Sequence, residues 1–152
     1  MQYEQDIVIE APRDLVVALF TDPAGFKEWQ PGLECYELVS GEQAQTGAKA
    51  ELTTRAGSRV TGMTETVERN ALPDELVAIY ETHGVWNRVV NRFVAESPTR
   101  TRWECANEFR FEGARKLLGM MEGSFEKESM KTMELFKAYA ERSAAGASTV
   151  AP

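Results

Sequence analysis

The chain has 152 residues, of which 43% are hydrophobic and 27% charged, and its formal net charge is −7. This length and composition predict one globular domain with an apolar core and argue against a two-domain enzyme. An acidic surface repels phosphate groups, so nucleic acid is not an expected partner. No apolar run reaches the length of a membrane span, and the acidic N-terminal residues do not resemble a signal peptide. We therefore expect a cytoplasmic protein without stable membrane insertion, either monomeric or homodimeric.

The residues best suited to bind soft metals are few. The chain contains Cys35, Cys105 and a single histidine, His83. Their spacing matches no zinc, haem or iron–sulfur motif, so neither a metal nor another cofactor is expected. A disulfide between the two cysteines is an alternative, but without an export signal two buried thiols are the preferred interpretation.

The first elements are a strand and two short helices. Residues 3–10 alternate between apolar and polar side chains, which predicts a half-buried strand. Pro12 then begins an apolar-periodic run that ends at Thr21-Asp22-Pro23, and a further turn of helix reaches Trp29.

Six more strands are predicted between residues 33 and 111. Short stretches rich in β-branched and aromatic residues alternate here with turn signals, which is typical of an antiparallel meander. The turn signals are Ser40-Gly41, Thr46-Gly47, Ala56-Gly57-Ser58, Ala71-Leu72-Pro73-Asp74, His83-Gly84 and Ser97-Pro98-Thr99.

One long helix is predicted over residues 115–142, because apolar side chains recur there at helical spacing. Such a stripe has to pack against an apolar face. We expect residues 1–142 to form the domain and residues 143–152, rich in alanine, serine and glycine, to form a disordered tail. The stripe consists of Leu118, Met121, Phe125, Met133, Phe136 and Ala140.

The last two predicted strands combine aromatic rings with amides on one face. If their turn is centred on Pro98, antiparallel pairing determines which side chains lie opposite each other. The charged side chains then share the other face, which must contact water. Asn107 lies on the inner face together with the predicted pairs, which are Phe93 with Trp103, Asn91 with Cys105, and Asn87 with Phe109.

Asparagines on an inner face need partners, since a buried amide without one costs about 1–3 kcal/mol. Apolar walls with a few converging polar groups are typical of small-molecule sites, so the pattern favours a cavity. The alternative is a filled core in which the amides bond to one another. The candidate ligand-binding residues are Tyr80, Asn87, Asn91, Phe93, Trp103, Asn107, Phe109, Met121 and Phe125.

Catalytic residues cannot be assigned from the sequence. A two-residue turn at His83-Gly84 places Tyr80 on the inner face, whereas a longer turn places Glu81 there; the shorter turn is expected. Glu65 could face inward and act as a general acid with a raised pKa, but an outward position is the expected one. His83 is expected to be a solvated turn residue. Nothing in the sequence pairs a nucleophile with a base.

A set of short motifs runs in a characteristic order along residues 3–141. The motifs are Ile9-Glu10-Ala11-Pro12-Arg13, Trp29-Gln30-Pro31-Gly32, Gly41, Gly47, Glu65-Thr66-Val67, Leu72-Pro73 and Thr101-Arg102-Trp103. In this order they resemble the START-like superfamily, also called the Bet v 1-like or polyketide cyclase and SRPBCC group. The resemblance implies an α+β helix-grip fold. In this fold a seven-stranded curved antiparallel sheet surrounds a long C-terminal helix and a cavity that opens near the short helices.

This superfamily includes lipid carriers, plant hormone receptors, aromatase and cyclase enzymes and chaperone-activating domains, so the fold does not determine the function. Our preferred interpretation is binding of a small hydrophobic or amphipathic ligand in an internal cavity, without catalysis. One alternative is a cyclase-like or dehydratase-like enzyme with its acid and base drawn from Glu65, Glu81, Tyr80 and His83. Another is a protein-interaction domain that acts through an exposed apolar patch.

Overall fold

The structure, a computed structural model, describes residues 1–150; the side chains at positions 117–120, 122 and 148–150 lie outside this description. Within these residues, seven strands form one antiparallel sheet in the order β1-β7-β6-β5-β4-β3-β2. The expected succession of strand, short helices and six-strand meander is confirmed. The strands are β1 (Gln2–Ile9), β2 (Leu33–Ser40), β3 (Lys49–Ala56), β4 (Arg59–Ala71), β5 (Glu75–Thr82), β6 (Val85–Ser97) and β7 (Arg100–Phe111).

The helices lie before β2 and after β7. The long C-terminal helix packs across one face of the sheet, as in the helix-grip fold. None of the described helices is long and apolar enough to cross a membrane. The helices are α1 (Arg13–Thr21), a 3₁₀ turn (Pro23–Gly25), α2 (Phe26–Trp29), a 3₁₀ segment (Gly113–Met121) and α3 (Glu122–Val150).

The strand register agrees with the sequence prediction around β6. Thr82 pairs with Val85, so the His83-Gly84 turn contains two residues and Tyr80 pairs with Asn87 on the inner face. Antiparallel pairing about the next turn produces the predicted partners between β6 and β7. These partners are Phe93 with Trp103, Asn91 with Cys105, and Asn87 with Phe109.

The core lies between α3 and the inner face of the sheet. Met133, Phe136 and Ala140 of the predicted stripe are fully buried there. The short helices also approach α3 closely, since a Cβ atom at Gly25 would lie 2.2 Å from the Tyr139 hydroxyl oxygen. Glycine is therefore required where α2 begins.

The C-terminal helix differs from its prediction at both ends. Residues 113–121 adopt the tighter 3₁₀ geometry, and Met121 is 51% exposed, so it does not belong to the buried stripe. Leu118 lies outside the described side chains. At the other end, α3 continues into the expected tail as far as Val150 because its last turns still find partners. There the Ser143 hydroxyl donates to the Tyr139 carbonyl at 3.0 Å, and Ala144 packs against the core; residues 151–152 lie outside the description.

The two cysteines are free and differ in burial. Cys105 is buried in β7, an interior strand of the sheet, as expected. The prediction of a buried Cys35 is wrong, because β2 is an edge strand and Cys35 lies exposed on it.

Candidate functional site

A cavity with two adjoining compartments lies between the sheet, the short helices and α3. The larger compartment has a volume of about 290 Å³ and opens to the surface, which approaches the ~300 Å³ lower limit of typical ligand sites. The smaller compartment has a volume of about 40 Å³. The two adjoin because they share the lining residues Phe20, Trp29, Gln30, Tyr80 and Asn91.

Aromatic rings form the wall nearest the short helices. Phe20, at the end of α1, stacks on Trp29 with ring centroids 5.3 Å apart and meets Trp103 edge-on at 5.2 Å. Leu52, Met63 and Met133 complete the apolar lining of the larger compartment. This compartment can therefore hold an apolar group.

A carboxyl and a phenol, Glu65 and Tyr80, line the smaller compartment, and a second phenol, Tyr36, lies beside the carboxyl. Glu65 lines it, although we expected this side chain to face outward; that prediction is wrong. In β4 it pairs with Ala50 on one side and Tyr80 on the other, and both partners point inward. The Tyr36 hydroxyl lies 3.5 Å from Glu65 Oε1, and the Tyr80 hydroxyl is the second hydrogen-bond neighbour of this carboxyl.

Gln43 ties this polar cluster to the short helices. The Tyr36 hydroxyl donates to Gln43 Oε1 at 2.9 Å, and Gln43 Nε2 donates to the Thr21 carbonyl at 3.4 Å. The β2–β3 loop and the end of α1 are thus connected beside Glu65. We refer to Tyr36, Gln43, Glu65 and Tyr80 as the polar cluster.

Burial raises the pKa of each titratable group in the polar cluster, so these groups keep their protons to a higher pH. It raises the pKa of Glu65 above its usual 4.5, although hydrogen bonds from Tyr80 and Tyr36 lower it in part. Burial and the adjacent Glu65 raise the pKa of Tyr36 to about 12 and that of Tyr80 well above 10. Glu65 is therefore the first group of the cluster to ionise, and it can act as a proton donor while it remains neutral.

Among the predicted asparagines, Asn91 alone lines the cavity, and it is partnered. The Trp103 Nε1 donates to Asn91 Oδ1 at 3.0 Å, and Asn91 Nδ2 donates to the Leu76 carbonyl at 3.4 Å. Away from the cavity, Asn87 Nδ2 donates to Asn107 Oδ1 at 3.2 Å. The amides therefore bond within the protein, as in the filled-core alternative, while the cavity lies beside them.

The remaining predicted site residues are divided among other regions. Phe93 is buried in the core, and Met121 is exposed. Phe109 and Phe125 lie away from both compartments and pack together with ring centroids 4.9 Å apart. Tyr80, Asn91 and Trp103 are the predicted residues that the structure brings together around the cavity.

A family relationship supports this architecture. Residues 1–141 match the family model described as polyketide cyclase / dehydrase and lipid transport. The chain belongs to this family. No curated protein sequence matches it.

Several solved structures share this fold at low sequence identity. The aromatase/cyclase ZhuI from Streptomyces sp. R1128 is 17% identical with a TM-score of 0.78, and the match covers 93% of this chain and 94% of that one. Ara h 8.0201 is 11% identical, with a TM-score of 0.75 and coverage of 92% and 97%. TTHA0849 from Thermus thermophilus is 17% identical, with a TM-score of 0.72 and coverage of 97% and 99%. At these identities the similarity establishes the START-like, Bet v 1-like fold alone.

Sequence reasoning missed most of the polar cluster for a local reason. Between Val67 and Arg69 the pairing of β4 with β5 shifts by one residue, because Glu68 forms an irregularity in the strand. Counting back regularly from the β4–β5 turn assigns Glu65 to the outer face, whereas the extra residue at Glu68 keeps it on the inner face opposite Tyr80. The spacing of Glu65 and Val67 was the signal that could have indicated the inward position of Glu65, because residues two apart on a strand share a face.

Proposed function

We propose that the chain binds a small, mainly apolar molecule in this cavity. The observation that carries the proposal is an aromatic-walled space that ends at the part-buried carboxyl of Glu65 and the phenol of Tyr80. The family description, which includes lipid transport, and the aromatase/cyclase among the similar structures support a small-molecule site. Fold similarity by itself selects no ligand.

The cavity suits a ligand with one polar end. Its apolar part would contact Phe20, Trp29 and Met133 in the larger compartment, where removing apolar surface from water favours binding. Its polar group would reach the polar cluster beyond Tyr80, which borders both compartments.

A pair of neighbouring substitutions on β6 tests the proposal. Val89 lines the larger compartment, whereas Val90 lies on the outer face of the sheet. Val89→Phe should fill the cavity and weaken binding of the uncharged dye 6-acetyl-2-dimethylaminonaphthalene by about tenfold or more, equivalent to ~1.4 kcal/mol. Val90→Phe, the matched control, should leave the affinity unchanged. Equal effects of the two variants, or no binding by the wild type, would contradict cavity binding.

The position of Glu65 favours a second candidate function, an enzyme that eliminates water from a β-hydroxy ketone. Neutral Glu65 would give its proton to the departing hydroxyl, and the resulting carboxylate would take the α-proton. Water leaves, a C=C bond forms and Glu65 is restored to its protonated state. Tyr80 would hold the carboxyl in place through its hydrogen bond.

Dehydration of 4-hydroxy-4-phenylbutan-2-one, followed by the absorbance of the conjugated ketone, tests this second candidate. Glu65→Gln should abolish turnover, since the amide cannot transfer the proton. Glu68→Gln, on the outer face of the same strand, should retain it. Turnover that survives Glu65→Gln would remove Glu65 from the mechanism.

A further inference from the structure

The cavity contains no cationic side chain among its described lining residues. Lysine, arginine and histidine are missing from both compartments, and Glu65 is the acidic residue in the lining. A ligand carboxylate or phosphate would therefore lose its hydration without meeting a counter-ion, and it would approach an acidic group.

The arginines closest in sequence to the cavity-lining residues lie on the other face of the sheet. Arg88 pairs with Glu68 across the outer face, and Arg92 pairs with Glu75. Side chains alternate between faces along a strand, so the inward positions of Val89 and Asn91 keep these arginines outside. No change of rotamer can bring such a guanidinium through the sheet into the cavity.

The phenol protons of the polar cluster are committed within the cluster, so Glu65 is the group that can donate to a ligand. The Tyr36 hydroxyl donates to Gln43, and the Tyr80 hydroxyl is directed at Glu65. A neutral Glu65 contributes a further O–H donor to the compartment. A ligand that accepts a hydrogen bond satisfies this donor, whereas a cationic group brings only more donors.

We propose that the cavity selects uncharged ligands that accept a hydrogen bond, such as ketones or esters, and rejects carboxylates of the fatty-acid type. This inference rests on the proposed ligand-binding function and specifies the class of ligand. Glu65 is the specificity-determining residue, because its neutral carboxyl supplies the donor and its carboxylate, once formed, repels anions.

Three ligands that share a naphthalene ring test the selection. They are 2-acetonaphthone, 2-naphthoate and 2-naphthylmethylammonium, and calorimetry or dye displacement at about pH 7 measures their affinities. The ketone should bind about 30-fold or more tightly than either ion. At a pH at which wild-type Glu65 is ionised, Glu65→Gln should narrow the preference of ketone over naphthoate by about tenfold, because the amide has no charge to repel the anion. Glu68→Gln is the matched control and should leave the preference unchanged.

A pH titration of the wild type provides a readout that does not depend on any variant folding. 2-Acetonaphthone does not ionise, so a fall in its affinity as the pH rises through the raised pKa of Glu65 reports loss of the Glu65 proton. The titratable groups near the carboxyl are Tyr36 on β2, Tyr80 on β5 and Cys105 on β7. Burial raises the pKa of each, to about 12 for Tyr36, well above 10 for Tyr80 and about 11 for Cys105. These three groups therefore ionise at a higher pH than Glu65 does.

The outcomes separate the two proposals. If naphthoate or the ammonium ligand binds as tightly as the ketone, or if ketone affinity is constant or rises with pH, the selection is overturned and cavity binding stands. If none of the three ligands nor the dye binds the wild type, the proposed function itself fails. A ketone preference that Glu65→Gln narrows and Glu68→Gln does not would support the selection.

Discussion

Glu65 lies on the inner face because β3 pairs regularly with β4 and places it opposite Ala50, and because β4 contains one residue more than β5 at Glu68, which keeps it opposite Tyr80. When residues are counted back from the β4–β5 turn, the irregularity changes the side of the sheet on which every preceding residue of β4 lies. A carboxyl that regular pairing with β5 would place on the outer face thus joins Tyr80 in a compartment of about 40 Å³, with Tyr36 beside it. The local shift in the pairing of β4 with β5 therefore accompanies the inward position of Glu65, the main polar group of the site.

The burial of Glu65 should make stability depend on pH. Because its native pKa is raised above 4.5, the native state binds this proton more tightly than the unfolded state. The resulting stability is fully present below pH 4.5 and is lost as pH rises through the native pKa. Glu65→Gln removes this dependence, so its urea midpoint relative to wild type should increase from about pH 4 to about pH 8.

Glu68→Gln should show the opposite sign. The hydrogen bond and charge of Arg88 lower the pKa of Glu68, so its contribution to stability is present above its usual value of 4.5 and is lost on acidification. The urea midpoint of this variant relative to wild type should therefore fall slightly as pH rises. A midpoint difference that is independent of pH for Glu65→Gln would contradict a buried carboxyl.

Asn91 contributes to stability by accepting a hydrogen bond from Trp103. The indole N–H of Trp103 is buried and donates to the Asn91 amide. Asn91→Leu should therefore lower the free energy of unfolding by about 1–3 kcal/mol, the cost of a stranded polar group. In a Trp103→Phe background the same substitution should cost less, because no donor is left without a partner. Urea denaturation of the four proteins measures this coupling, and strictly additive effects would contradict it.

At the scale of elements, α3 contributes one narrow face to the core. Phe136 has no exposed surface, and its ring lies within 5.5 Å of three others. Those rings belong to α1, α2 and β7, so this side chain connects the long helix with the short helices and the sheet. The helix is therefore held by a few large contacts over part of its length.

Substituting neighbouring residues of α3 should reveal this face. Phe136→Ala should destabilise the protein by about 3–5 kcal/mol, through lost burial and the void left among the rings. Leu135→Ala changes a side chain that is 37% exposed and should alter stability by about 0.5 kcal/mol or less. Chemical denaturation measures both, and similar losses would show that the helix packs in another rotation.

At the scale of the whole molecule, the sheet separates ion pairs from the cavity. Its outer face carries cross-strand pairs such as Arg88 with Glu68, while its inner face carries the aromatic wall and the polar cluster. Exposed pairs of this kind contribute little to stability individually. They keep charge out of the interior, which leaves an apolar space beside α3.

Ligand binding should stabilise the whole domain. At a free concentration of about 100 times Kd, 2-acetonaphthone should add ~2.7 kcal/mol to the free energy of unfolding. For a domain of this size that corresponds to a rise in Tm of roughly 5–10 °C. Val89→Phe should abolish the rise at the same concentration and Val90→Phe should not; an unchanged wild-type Tm would contradict binding to the native state.

The amino-acid sequence by itself determined the architecture and much of the register. Alternating patterns and turn residues predict the strands, and the two-residue His83-Gly84 turn predicts the inward position of Tyr80, because these signals act within a few neighbouring residues. The pairing of Phe93 with Trp103 follows from the next turn in the same way. Motif order along the chain indicates the family, since it extends over most of the length.

Only the tertiary structure decided where the site lies. Tyr36, Gln43, Glu65 and Tyr80 come from separate strands and a loop, and they meet because the sheet curves around α3 and because Glu68 shifts the register of β4. A one-residue irregularity changes every face assignment beyond it without altering local composition. The asparagines, correctly placed on the inner face, find their partners within the protein, and the cavity opens beside them next to the Glu65 carboxyl.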